Sequence, residues 1–126
     1  MATNHHAIKV SAVTQFLADQ SDQPRGRYVF AYTISIENIG EIAAQLISRH
    51  WIITDAAGRV QEVKGEGVVG EQPHLRPGES FRYSSGAVLE TPVGTMQGSY
   101  QMLAADGVRF EAPIAAFRLA VPNSLH

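Results

Sequence analysis

The sequence predicts an all-β chain folded as an antiparallel two-sheet β-sandwich of about seven strands. Three observations carry that expectation. Apolar residues recur with a period of two along most of the chain, the period of a half-buried strand. Turn chemistry stands between the alternating segments, and no 11-residue window carries a clean helical stripe. Seven or so short strands separated by turns are the pattern of immunoglobulin and fibronectin type III sandwiches, with a small barrel as the alternative.

The first strand is expected over residues 8–17. In Tyr28–Glu37 the side chains of Phe30, Tyr32, Ile34 and Ile36 share one face, and Val29, Ala31, Thr33, Ser35 and Glu37 the other. Asn38-Ile39-Gly40 supplies a turn. A strand then runs over Gln45–Thr54, with Ile47, Trp51 and Ile53 on one face together with Arg49. A single helical turn over Ile42–Ile47 is compatible with the pattern just before it. Asp55-Ala56-Ala57-Gly58 reads as a tight hairpin loop, and Arg59–Lys64 returns from it. Further strands are expected at Ser80–Tyr83, Met96–Ala104 and Val108–Leu119. The Asp-Gly of Ala105-Asp106-Gly107 marks a hairpin between the last two. Pro113 cannot donate to a ladder, so it belongs at an edge or a bulge.

The chain has 126 residues and is 44% hydrophobic, enough for one core and one domain over 1–126, with an ordered part at about 7–121. Residues 1–6 and 122–126 are expected to fray. Ten Lys and Arg oppose twelve Asp and Glu, and the two halves of the chain share them evenly. No basic surface for nucleic acid follows from that balance. Without cysteine there is no disulfide, zinc ribbon or thiol nucleophile. The longest apolar run is Tyr28–Tyr32, well short of the ~20 residues a bilayer requires. The first residues have neither the basic nor the apolar region of a signal peptide, so a soluble cytoplasmic protein without membrane insertion is expected.

Gly65-Glu66-Gly67-Val68-Val69-Gly70 matches G-x-G-x-x-G. A dinucleotide fingerprint must open a helix, because the pyrophosphate sits on the helix N-terminus. Here Glu71-Gln72-Pro73-His74-Leu75-Arg76-Pro77 follows, and prolines so close cannot continue one. The remaining functional reading is a nest of convergent backbone N–H groups in the loop of Gly65, Gly67, Gly70 and Gln72, closed by Pro73, able to hold a small anion or nucleotide. The structural reading is a loop whose glycines take positive φ, and it is preferred. Gly78-Glu79-Ser80-Phe81 lacks the closing glycine of a nucleophile elbow, since Arg82 stands there. No catalytic residue, metal ligand or cofactor is assigned. His50 and His74 could approach each other near Glu71, but nothing requires it. Trp51 is expected between the sheets; were it exposed beside Arg49 and His50, the three would suit a protein partner.

Taken together, Ser48–Asp55, Gly65–Pro73, Leu75–Glu79 and Glu90–Tyr100 resemble the ApaG family, in order and over nearly the whole chain. The resemblance implies a fibronectin type III-like sandwich in a small bacterial protein. It also implies a link to Co2+ resistance and Mg2+ efflux without an established activity, and genes beside those of a diadenosine tetraphosphate hydrolase and a ribosomal RNA dimethyltransferase. Related domains in an F-box protein and a DNA polymerase delta-interacting protein look like protein-interaction modules. The expectation is a non-enzymatic domain with an unidentified protein partner, the alternative being a binder of pyrophosphate, a nucleotide or a divalent cation at the glycine-rich loop. Nothing here spans a bilayer, so any part in efflux would be indirect.

Overall fold

Alternating side chains drive eight strands in a computed structural model that describes residues 5–122. They are β1 (Ile8–Phe16), β2 (Tyr28–Asn38), β3 (Ala44–Asp55), β4 (Val60–Glu66), β5 (His74–Leu75), β6 (Ser80–Leu89), β7 (Val93–Ala104) and β8 (Arg109–Ala120). One sheet has the order β1-β2-β6. The other has the order β4-β3-β7-β8, with β5 added to β3, and every pairing is antiparallel. The expected sandwich is therefore the observed architecture. Among the described residues there is no α-helix, only 3-10 turns at Ala18–Gln20 and Gln23–Arg25, and no helix long and apolar enough to cross a membrane.

The inward face of β2 is the one its period marks: Phe30, Ile34 and Ile36 are fully buried and Tyr32 nearly so. Facing them are Leu46, Met96, Tyr100, Met102 and Leu119. Trp51 lies between the sheets, 2% exposed, with Tyr32, Phe117 and Tyr100 ring centroids at 5.5, 5.9 and 6.2 Å. These edge-on arrangements suit the ring quadrupoles. Its indole N–H has no nitrogen or oxygen acceptor. Among the described residues Asn38 is a fully buried amide in this core. It donates to the carbonyls of Ile42 (3.0 Å) and Leu75 (2.9 Å) and accepts from the Gly40 amide (2.9 Å), so its amide is satisfied.

Several expectations need correction. No helical turn forms over Ile42–Ile47, because Ala44 and Leu46 pair with β7 and fill the core. A bulge between Leu46 and Ser48 then changes the phase of β3. Core residues are Ala44 and Leu46 before it and Trp51 and Ile53 after it, so Ile47 does not share their inward face. β6 runs on to Leu89, six residues beyond Tyr83, because β2 supplies pairing partners through Tyr28 even where Ser84-Ser85-Gly86 has no apolar alternation. The eighth strand, β5, is two residues long and too short to show a period. Pro113 lies on β8, an edge strand, as its missing donor requires.

Of the residues expected to fray, 1–4 and 123–126 lie outside those described, but His5 and His6 are held. His5 pairs with Glu41 at 2.6 Å, and His6 with Asp106 at 2.9 Å while lying 5.3 Å from the Phe110 ring. This segment crosses Gly40, where an added Cβ would sit 2.5 Å from the His5 carbonyl oxygen.

Candidate functional site

The glycine-rich loop is a tight turn at the end of the β3–β4 ladder. Gly65 is opposite Arg49, and a Cβ there would lie 2.8 Å from both terminal guanidinium nitrogens. The missing side chain thus makes the space in which the guanidinium lies. From that position Arg49 Nη1 donates to the carbonyls of Glu66 (3.0 Å) and Gly67 (2.9 Å). Gly67, at φ +62°, packs its Cα against the Glu71 carbonyl, leaving no room for a Cβ.

Beyond Gly67 the chain reverses. The Val68 amide donates to the Glu71 carbonyl (2.8 Å) and the Glu71 amide to the Val68 carbonyl (2.9 Å). The two residues between them, Val69 and Gly70, have φ of +44° and +81°, both signs a type I′ turn needs. Val68 is buried, whereas Val69 is 56% exposed. A β-branched residue at positive φ is a true outlier, and Val69 is the one non-glycine residue with positive φ among those described. Gln72 fixes the far side by donating Nε2 to the Ile47 carbonyl (2.8 Å), and the Pro73 carbonyl accepts from the Leu46 amide (3.0 Å). The run is a hairpin turn and opens no helix. Its Gly67, Val68 and Glu71 amides are already used by the carbonyls of Ile47, Glu71 and Val68, which leaves fewer donors for an anion than a nest would offer.

Beside this turn, the outer face of the larger sheet carries a shallow polar groove of about 440 Å3, lined by Arg49, His50, Lys64, Glu66, Gln101 and Glu111, among others. Ser48 donates to Gln101 Oε1 (2.8 Å), and Gln101 Nε2 donates to the Ser99 hydroxyl (2.9 Å). His50 Nε2 lies 2.5 Å from a Glu62 carboxylate oxygen. His50 has therefore taken Glu62 as its acidic partner, while His74 lines a separate depression with Ala43, Gln45 and Leu103. Among the described residues no three His, Cys, Asp or Glu side chains form a group able to hold a metal ion.

Behind the groove, the hydroxyls of Tyr83 and Tyr100 share a hydrogen bond of 2.5 Å. Burial pushes the Tyr83 phenol up to about 12, with the bond to Tyr100 and the Arg49 charge pulling the other way. Burial, then the neighbouring Tyr83, raises Tyr100 still further. Both phenols are neutral near pH 7 and act as a structural pair.

Consecutive residues on a strand alternate faces, which separates His50 from Arg49 and Trp51. His50 is on the outer face, Arg49 reaches the glycine turn, and Trp51 is in the core, where its indole is out of reach of any partner. Sequence reasoning singled out the loop glycines but missed Val69, since turn rules disfavour a β-branched residue at that position. Lys64, Gln101 and Glu111 were missed because only strand pairing brings them together.

Comparison with known proteins adds a consistent set of matches. The family model described as ApaG domain matches residues 18–104. A protein of Thiobacillus denitrificans named Protein ApaG is 68% identical over 121 residues, covering 96% of this chain and 95% of that one. Another of that name, from Pseudomonas putida W619, is 60% identical over 126 residues and all of both chains. The crystal structure of a Bordetella pertussis protein called ApaA superposes with a TM-score of 0.94 at 51% identity, covering 98% of this chain and 100% of that one.

Proposed function

Because the chain belongs to the ApaG family, and so shares its domain with relatives along nearly its whole length, we propose that it is a non-catalytic module that binds another protein through the Gly65–Pro73 turn and the groove beside it. The observation that carries this reading is Val69. A β-branched side chain held at positive φ on an exposed tip carries a backbone strain that contributes nothing to the sandwich itself. Strain of this kind persists where the surroundings over-determine it, here through the paired Val68 and Glu71 and the Arg49 guanidinium beneath them. The turn offers a rigid apolar tip, with Arg49 and His50 half-buried beside it to supply polar contacts. Trp51 takes no part.

In this reading the protein acts in the cytoplasm. Any part in Co2+ resistance or Mg2+ efflux is indirect, through the partner. Binding of pyrophosphate, a nucleotide or a divalent cation at the same loop is the weaker alternative, because three of its amides are already engaged.

Affinity capture from cell lysate with the wild-type protein and with Val69→Asn tests the proposal. A protein retained by the wild type and lost with the folded variant supports it. An identical set from both baits removes the turn as the binding surface. Amide chemical shifts followed during addition of pyrophosphate or Mg2+-ATP test the alternative: saturable changes confined to residues 65–73 would displace the protein-partner reading.

A further inference from the structure

The β4 edge of the larger sheet is unpaired, and its sequence is self-complementary. All residues of Val60–Glu66 are exposed except the half-buried Gly65. Val63 shares the inward side of the sheet with its ladder partner Trp51, yet it is 38% exposed. On the opposite edge of the same sheet, β8 carries Pro113 and lies against β1, where the Thr14 hydroxyl reaches the Arg118 carbonyl. The β6 edge of the other sheet carries a single charge, Arg82. Among the described strands only β4 combines an open edge with paired opposite charges, Glu62 and Lys64, placed symmetrically about Val63.

From this edge we infer that β4 pairs antiparallel with β4 of a second copy of the chain, about a two-fold axis through Val63. Backbone parity is the independent check. The Gly67 amide donates to Ile47 and the Asp55 amide to Arg59, so odd-numbered residues of β4 turn their backbone groups towards β3. Residues 60, 62, 64 and 66 therefore turn theirs outwards. A two-fold axis at Val63 sets residue 62 opposite 64 and residue 60 opposite 66, so the outward groups meet one another and each such pair exchanges two hydrogen bonds. It also sets Glu62 opposite Lys64 of the second copy, twice, and brings the two exposed Val63 side chains together. A one-residue shift would set the outward-turned groups of each strand against residues of the other whose groups turn inward, and a two-residue shift would oppose like charges. The groups facing Glu62 and Lys64 within one copy are His50, with its 2.5 Å contact to Glu62, and Ile52. This pairing does not depend on the turn reading, and it joins the larger sheets of two molecules into one.

Sedimentation equilibrium over a concentration series is the test. The wild type is expected to move from 13.7 kDa towards twice that mass as concentration rises. Glu62→Lys alone and Lys64→Glu alone each oppose like charges and should weaken self-association on the order of ten-fold. Mixing the two single variants restores both opposite-charge pairs and should return the dimer as a heterodimer. Lys64→Pro, which removes an outward-turned amide and the Lys64 charge but no bond to β3, should give a folded monomer. A wild type that stays at 13.7 kDa up to millimolar concentration overturns the inference. So does a dimer that both single reversals leave unchanged.

Discussion

The Tyr83 hydroxyl on β6 and the Tyr100 hydroxyl on β7 meet at 2.5 Å, a buried polar bond joining the two sheets. Replacing Tyr83 by Phe leaves the Tyr100 hydroxyl without its partner, at a cost of about 1–3 kcal/mol. The double Tyr83→Phe, Tyr100→Phe variant removes the orphan and should recover part of that loss. Denaturant unfolding of the single and double variants measures the coupling. A double variant less stable than the sum of the singles would contradict it. Because both phenols are raised, the pair stabilises fully below the free tyrosine value near 10, and stability falls as pH rises through about 12.

At the glycine turn, Gly65→Ala places a methyl group where the Arg49 guanidinium lies. The guanidinium is the end of a flexible side chain and can swing out, abandoning the Glu66 and Gly67 carbonyls. A loss of about 1.5–3 kcal/mol is expected from these charge-assisted bonds. Amide exchange should quicken over residues 66–71 while the β2 amides stay protected.

Val69→Gly relieves a positive φ that costs a non-glycine residue about 1–2 kcal/mol, against about 0.5–1 kcal/mol of extra chain entropy. The variant should be as stable as the wild type or slightly more so. Gly70→Ala acts in the opposite sense: no atom lies within 4 Å of the new Cβ, so its cost comes from φ +81° alone. Thermal melts of the two variants should shift in opposite directions, and a destabilised Val69→Gly would show that the valine supports the fold.

Acid stability rests on a few carboxylates. Burial of Asp55 opposes its charge, but hydrogen bonds from Arg59 and Ala57 outweigh that and hold it below its ordinary value. Glu79 is lowered chiefly by its side-chain bond with Arg76, and Asp106 by its bond with His6. Depressed carboxylates stabilise the folded state above their unfolded values, about 3.9 for Asp and 4.3 for Glu, and that contribution is lost as pH falls below them. Unfolding free energy measured against pH should therefore fall below about pH 4. Asp55→Asn with Asp106→Asn should flatten the drop, and an unchanged slope would assign acid sensitivity to other groups.

Much of the sandwich is visible in local patterns. The alternation Phe30, Tyr32, Ile34, Ile36 marks the inner face of β2, and the Asp-Gly before Val108 marks the β7–β8 hairpin, because both depend on neighbours in the chain. What escapes notice is set by partners far away. Ile47 leaves the core face because β7 imposes a bulge, and β6 runs on through Ser84-Ser85-Gly86 because β2 holds it. The glycine loop is legible as a loop, but Arg49 lying over Gly65 follows only from the β3–β4 register, and the strained Val69 only from the Val68–Glu71 pairing.

Trp51 is the one tryptophan in the chain, and it is shut among three aromatic rings. Its fluorescence should therefore emit at short wavelength, resist quenching by acrylamide or iodide, and shift to the red only when the sheets separate. That makes it an internal gauge of folding for each variant named above. Its emission should report little of what binds at the turn, so occupancy there must be followed by an added probe or by the loop amides.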